Sequence, residues 1–170
     1  MSAEHDTNQC AIAWTVLRRA HARIAAALEA ALASQCGLTL SEFDALLALS
    51  LSPDAGCTIS DLAPSVALSQ PALSRLINRL ENRGWIERTR IATDARQVHV
   101  SLTSSGRDHA RSAMHVHAEV VHANLATYLS PDDQQSLVTI LAKLTPDSFA
   151  APAIPAPTDQ TPDRPRTRRS

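Results

Sequence analysis

The chain is poor in residues that several common architectures require. Its four glycines in 170 residues are too few for the tight hairpins of an all-β fold or for a glycine-rich phosphate loop. Its three cysteines, Cys10, Cys36 and Cys57, form no CxxC pair, which argues against a disulfide framework and against a thiolate zinc site. Aromatic residues make up only 3% of the chain. These deficits favour a domain built on alanine and leucine, in a reducing compartment.

Long apolar segments and an excess of one charge are also missing. No stretch approaches the roughly 18 apolar residues of a membrane span, and the N-terminal MSAEHDTNQC lacks the basic and apolar regions of a signal peptide. We therefore expect a cytoplasmic protein. Sixteen basic and seventeen acidic side chains give a net charge of -1, so any affinity for a polyanion must be local.

The composition divides the chain into a folded part and a tail. Residues 145–170 contain six of the ten prolines and end in RPRTRRS, which predicts a disordered Pro/Arg-rich tail. This tail solubilises the protein or adds a sequence-independent contact with phosphates. Residues 1–10 form an N-terminal segment, and residues 11–144 form the single domain.

Hydrophobic periodicity predicts a mainly α fold with a small β-hairpin. Apolar residues recur at three- and four-residue steps over residues 11–33, which indicates a long amphipathic helix ended by Gly37. Ser, Thr, Asp and Glu at helix-capping spacings predict further helix starts, at Thr39, Thr58, Ser69, Thr103 or Ser104, and Ser130. Two stretches with strand character, WIERT and QVHVSL, predict the hairpin. The predicted order is ααααββαα.

The helix that begins after Ser69 has the pattern of a DNA reader. A short helix precedes it across a few residues around Ala67, as in a helix-turn-helix. Its outer face carries Gln and Asn, which can pair with adenine edges, and Arg, which can pair with guanine. Residues 69–96 hold six arginines and three acidic residues, so positive charge is concentrated there. The alternative is that these arginines only solvate a helix face.

Longer segments resemble a known family. LTLSEFDALLAL and DLAPSVALSQPALSRLINRLENRGWIERTRIATDARQVHVSLTSSGR are similar to the winged helix-turn-helix core of the multiple-antibiotic-resistance regulator (MarR) family. The LENRGWIER junction, the wing tip and the LTSSG helix start carry the resemblance, which covers residues 12–144. It implies a homodimeric repressor that grips a palindromic operator, with residues 11–38 and 104–144 as dimerisation helices and residues 39–103 as the winged helix-turn-helix.

The resemblance also implies roles for individual residues. The helix from Ser69 to about Arg83 would enter the major groove, and Arg96 would enter the minor groove, held by a bidentate pair with Asp94. The family often has arginine where this chain has Ala95, so the wing lacks one cation. The predicted DNA-binding residues are Ser69, Gln70, Ser74, Arg75, Asn78, Arg79, Arg88, Arg90, Asp94 and Arg96.

Relatives in this family bind small aromatic or anionic effectors, and the chain is similar to the urate-responsive subgroup at three positions. Trp14, Asp44 and Arg75 would supply stacking and charge complementarity to a flat, acidic heterocycle. Ordinary packing of Trp14, an exposed Asp44 and an Arg75 that contacts phosphate would explain the same residues without an effector.

Other functions use other residues. Peroxide sensing through Cys10 lacks a neighbouring cation that would stabilise the thiolate. Metal sensing would use His115, Glu119 and His122, which fall on one side of a helix. A protein-interaction module is the alternative without DNA. The chain has no GxSxG or HExxH motif and no usefully spaced carboxylate pair, so we expect no enzyme, and we predict no cofactor.

Overall fold

A computed structural model describes the backbone of residues 2–52, 56–66, 68–91 and 94–144, and the side chains of these residues apart from 2–6 and 90–97. Within these ranges the chain forms six helices and a three-stranded antiparallel sheet, which confirms the predicted fold class. The elements in chain order are α1 (Ser2–Cys36), α2 (Leu40–Leu51), β1 (Gly56–Thr58), α3 (Ile59–Val66), α4 (Gln70–Asn82), β2 (Ile86–Ile91), β3 (Asp94–Leu102), α5 (Ser104–Leu125) and α6 (Pro131–Ala142).

Local capping explains where most helices begin. The Thr39 hydroxyl accepts the amide of Glu42 at 3.2 Å while the Glu42 carboxylate accepts the amide of Thr39 at 3.0 Å, so both free donors are satisfied. Ser130 and Asp133 form the same capping box before α6. Ser69 has the extended backbone of an N-cap residue, but its side chain makes no cap hydrogen bond. Its predicted position is therefore confirmed, whereas its predicted bond is absent.

Helix α1 differs from the prediction in where it begins. It starts at Ser2 rather than near Ala11, so the predicted N-terminal segment continues the helix. Its end agrees with the prediction, because Gly37 adopts a φ of 63°, the left-handed conformation that stops a helix. Helix α5 ends at Leu125.

The predicted order omitted strand β1. Its three residues pair with β3, with Cys57 opposite Val100, and β2 pairs with the other edge of β3. The sequence around β1 has turn chemistry and too few residues for a period-two pattern. Only the distant partner strand makes this segment extended.

The core lies where the winged part, residues 39–103, packs on α1 and α5, which are called the platform helices below. Phe43, Leu46 and Leu49 of α2 are fully or almost fully buried in the core, and α2 packs on α1, α3, α5 and the sheet. The apolar stripe of α4 faces the core, since its four members are all buried: Leu73, Leu76, Ile77 and Leu80. This packing leaves the opposite face of α4 exposed.

The terminal helices expose apolar side chains. Helix α6 has no buried residue, and α1 packs on α5 while much of its length faces outward. The large apolar or aromatic side chains exposed on α1, after α5 and on or after α6 are Ile12, Trp14, Val16, Tyr128, Val138, Ile140 and Leu144.

Among the helices of the described ranges, no single one is long and apolar enough to cross a membrane. Two consecutive helical stretches, residues 7–36 and 40–51, are bent relative to each other. Taken together they are long and apolar enough for a span, by length and composition only.

Candidate nucleic-acid interface

Helix α4 presents a polar row on its outer face. Gln70, Ser74 and Asn78 are exposed at four-residue steps, and Arg75 is exposed beside them. Side chains at this spacing lie one above the other on a helix. Pro71 stands in the first turn, where its missing amide hydrogen costs nothing. The arrangement suits contact with the edges of bases in a groove.

A buried carboxylate anchors α4 to α2. Glu42 is only 2% exposed, and its Oε1 lies 3.0 Å from Nε of Arg79 while its Oε2 lies 3.6 Å from Nη1 of Arg83. Burial by itself raises the pKa of Glu42, but the Thr39 amide and the two guanidinium groups outweigh it and hold the pKa below its ordinary value. The carboxylate stays ionised, so Arg79 is partly committed to this pair.

The end of α4 is tied to two further elements through Arg83. Its Nη1 donates to the carbonyl of Gly37 at 3.0 Å, and its guanidinium lies 4.9 Å from the centroid of the Trp85 ring. The Trp85 ring stacks on His109 of α5, with centroids 3.9 Å apart. Nε2 of His109 is buried without a hydrogen-bond partner in the described part of the chain. These contacts fix α4 relative to the platform helices.

Strand β2 contacts the outer face of α4 through Arg88. Its Nη2 donates to Oδ1 of Asn78, and its Nε lies 3.1 Å from Oε2 of Glu81. Arg88 was predicted as a DNA contact, and the structure places its guanidinium against two residues of α4. The wing and the helix are therefore joined at the predicted interface.

The predicted wing tip lies outside the described side chains. The backbone of β2 and β3 carries a register irregularity between Arg90 and Ile91. The side chains of Arg90, Asp94 and Arg96 are not among those described, so the predicted pair of Asp94 with Arg96 stays a prediction. The predicted tail of residues 145–170 also lies outside the described residues.

The three predicted effector residues are not brought together in one chain. Trp14 is 63% exposed on α1, and Arg75 is exposed on α4. Burial, followed by the charge of Glu29, raises the pKa of Asp44 to about 6. Glu29 lies fifteen residues after Trp14 on α1, which is about 22 Å along a helix, so Trp14 and Asp44 of one chain are far apart.

The cysteines and histidines of the other predicted sensors lie apart from α4 in the chain. Cys10 is exposed, and burial raises the pKa of the half-buried Cys36 and Cys57 thiols. Nε2 of His115 lies 3.3 Å from Oε1 of Glu119. Among the described residues, His, Cys, Asp and Glu form no group of three or more that could hold a metal ion.

The outer face of α4 was predicted from the sequence, whereas the contacts that hold α4 in place were not. Glu42 was predicted only as a capping residue, and Trp85 only as part of a strand. For Glu42, a sign of its buried role was its position on the apolar face of α2, where side chains are expected to be buried. No local pattern indicates the partners of either residue.

Similar proteins show which family this winged fold belongs to. The HTH-type transcriptional repressor Rv2887 of Mycobacterium tuberculosis is 31% identical over 114 residues, which cover 67% of this chain and 80% of the relative. A family profile described as MarR family matches residues 37–97. The chain belongs to the MarR family.

Another relative matches over less of its length. YwhA of Bacillus subtilis, named as an HTH-type transcriptional regulator, is 33% identical over 88 residues, 52% of this chain and 63% of the relative. The chain therefore spans less than two thirds of that protein. These relatives are transcriptional regulators rather than enzymes.

A solved MarR-family structure shares the fold. The MarR-family regulator Sco3205 of Streptomyces coelicolor, solved in complex with DNA, has a TM-score of 0.73 and 25% identity, and the match covers 79% of this chain and 87% of that one. The match agrees with the winged-helix architecture described above.

Proposed function

We propose that this protein is a homodimeric, sequence-specific DNA-binding repressor that inserts α4 into the major groove of a palindromic operator. The observation that carries the proposal is the exposed row of Gln70, Ser74, Arg75 and Asn78 on a helix anchored by an ion pair with the buried carboxylate of Glu42. A reader must hold its side chains in fixed positions to discriminate base edges. The contacts of Glu42 with Arg79 and Arg83 supply that rigidity.

Charge supports the same proposal. Residues 69–96 carry a net charge of +3 from six arginines and three acidic residues, in a chain whose total is -1. Phosphate contacts supply most of the sequence-independent affinity for DNA. The proposed phosphate and groove contacts beyond α4 come from Arg90 and Arg96 of the wing, with Asp94 orienting Arg96.

Dimerisation is part of the proposal. Recognition helices of a two-fold dimer must lie about 34 Å apart to reach successive major grooves. The apolar side chains exposed on α1 and α6, such as Val16 and Ile140, can be covered by the same helices of a second copy. Long terminal helices are able to set the required spacing.

The proposed effector is a small aromatic or anionic molecule, of the kind bound by the urate-responsive subgroup. Asp44 and Arg75 would provide the charged contacts, and Trp14 the stacking contact. Because Trp14 and Asp44 lie far apart in one chain, a site that contains both residues requires a second copy. Binding there would release the operator by favouring a different spacing of the two α4 helices.

Mobility-shift assays with DNA from upstream of the protein's own gene test the proposal. We expect selective retardation that weakens steeply with salt. Arg75→Ala and Arg96→Ala should weaken binding, whereas Arg111→Ala, on the exposed face of α5, should not. Equal retardation of operator and unrelated fragments, at every salt concentration, would refute a sequence-specific repressor.

A further inference from the structure

We propose that Arg88 is a positioning residue that fixes the side-chain amide of Asn78 and thereby sets a base preference of α4. This inference rests on the proposed function, because it names a determinant of operator choice. Its basis is the pair of contacts that Arg88 of β2 makes with Asn78 and Glu81 of α4.

The guanidinium of Arg88 decides which way the amide of Asn78 points. Arginine has five N–H donors and no acceptor, so the atom of Asn78 that it contacts must be the carbonyl oxygen Oδ1. The Nδ2 group then points away from Arg88. Asn78 is itself exposed on the outer face of α4. The amide hydrogens, rather than the oxygen, are thus offered to a groove.

Glu81 makes the geometry specific to arginine. The Arg88 side chain is 30% exposed, and its Nε is engaged by Glu81 while its Nη2 is engaged by Asn78. A planar fork can make both contacts at once and lose little further freedom. Lysine keeps the positive charge but has no fork, so it can satisfy only one of the two partners well.

The orientation of the amide has a consequence for recognition. Free asparagine pairs with adenine through two bonds, in which Oδ1 accepts from N6 and Nδ2 donates to N7. When Arg88 holds Oδ1, Asn78 offers the two hydrogens of its Nδ2 group. These donors suit a base edge that presents two acceptors. Guanine presents N7 and O6 in the major groove. We therefore expect guanine at the base that Asn78 contacts, and a shift toward adenine when Arg88 no longer holds the amide.

The experiment is selection from a randomised operator library, followed by sequencing, with the full chain, three single variants and one double variant. Arg88→Lys retains the charge and removes the fork, and Asn78→Ala removes the amide. Arg111→Lys is the matched control, because Arg111 forms an exposed ion pair with Asp108 on α5. Thermal unfolding of each variant checks that it is folded.

We expect the wild-type protein to prefer guanine at one position in each half-site. Arg88→Lys should change the ratio of guanine to adenine there by roughly tenfold, and Arg111→Lys should leave it unchanged. Asn78→Ala should abolish the preference, and adding Arg88→Lys to it should have no further effect at that position.

Two results would overturn the inference in distinguishable ways. If the wild type selects a sequence but Arg88→Lys changes only overall affinity, the repressor function stands and Arg88 is not a positioning residue. If the wild type selects no sequence at all, the proposed function and the inference that depends on it both fail.

Discussion

Two carboxylates on α2 lie in contrasting environments. Glu42 is buried and bonded to Thr39, Arg79 and Arg83, so its charge is compensated. Asp44 is half-buried and makes no hydrogen bond or ion pair within the described part of the chain. A charge that is partly removed from water without a partner destabilises the folded state. Residues kept at such a cost are frequent at functional sites.

Replacement of Asp44 by asparagine should therefore stabilise the protein at neutral pH. Burial and Glu29 raise the pKa of Asp44 to about 6, so the folded state binds the proton more tightly than the unfolded state. The stabilisation that the folded state gains from proton binding at Asp44 is fully present below the ordinary pKa of 3.8. It is lost as the pH rises to about 6. At pH 8, Asp44→Asn should gain on the order of 1 kcal/mol, because solvent screens part of the effect.

Denaturant unfolding at pH 8 and pH 4 measures this difference. The gain should shrink toward zero at pH 4, where the wild-type carboxyl is protonated in the folded state. Asp108→Asn, at an exposed pair on α5, is the control and should show no such pH dependence. An Asp44→Asn variant less stable than wild type at pH 8 would contradict the reasoning.

At the scale of elements, the start of α5 is docked on the junction between α4 and β2. Gly84 ends α4 with a φ of 71°, and its carbonyl accepts the Thr103 hydroxyl at 2.7 Å. The carbonyl of Trp85 accepts the amide of Thr103 at 3.1 Å. A Cβ atom on Gly106 would overlap that same Trp85 carbonyl. The LENRGWIER and LTSSG motifs are thus two halves of one contact.

Gly106→Ala should destabilise the winged domain by about 3 kcal/mol, because backbone atoms on both sides must move to admit the methyl group. Gly84→Ala is the matched control. It also introduces a methyl group, but nothing lies within 4 Å of the new atom, so only the left-handed backbone costs about 1 kcal/mol. Chemical denaturation compares the two, and equal losses would argue against the close contact at Gly106.

The elements that the sequence predicted well are those that local chemistry determines. The capping boxes at Thr39 and Ser130 and the apolar stripe of α4 depend on residues three or four positions apart. Strand β1 and the contact of Arg88 with Asn78 depend on partners from other elements. The exposed residues of α4 were therefore predictable as a surface, whereas the way they are held was not.

For the whole molecule, the distribution of apolar surface is uneven. Among the described side chains, the winged part buries its large apolar residues with few exceptions, such as Leu51 at 45% exposure, whereas Val16 of α1 and Ile140 of α6 remain 61% and 57% exposed. Large apolar side chains exposed together are typical of protein interfaces. In the proposed two-fold dimer, the same helices of a second copy would cover them.

Val16→Glu and Ile140→Glu should each raise the dissociation constant of the proposed dimer by about 100-fold, because a carboxylate placed in the proposed apolar contact would lose its hydration without gaining a partner. Sedimentation at a series of protein concentrations measures the change. Operator affinity should fall with dimerisation, since one α4 helix alone cannot occupy two half-sites. Leu51→Glu, an apolar-to-acidic change at a side chain that is 45% exposed at the end of α2, is the control and should leave the proposed dimer intact. A variant that sediments as a monomer and still binds the full operator as tightly as the wild type would exclude the two-fold arrangement.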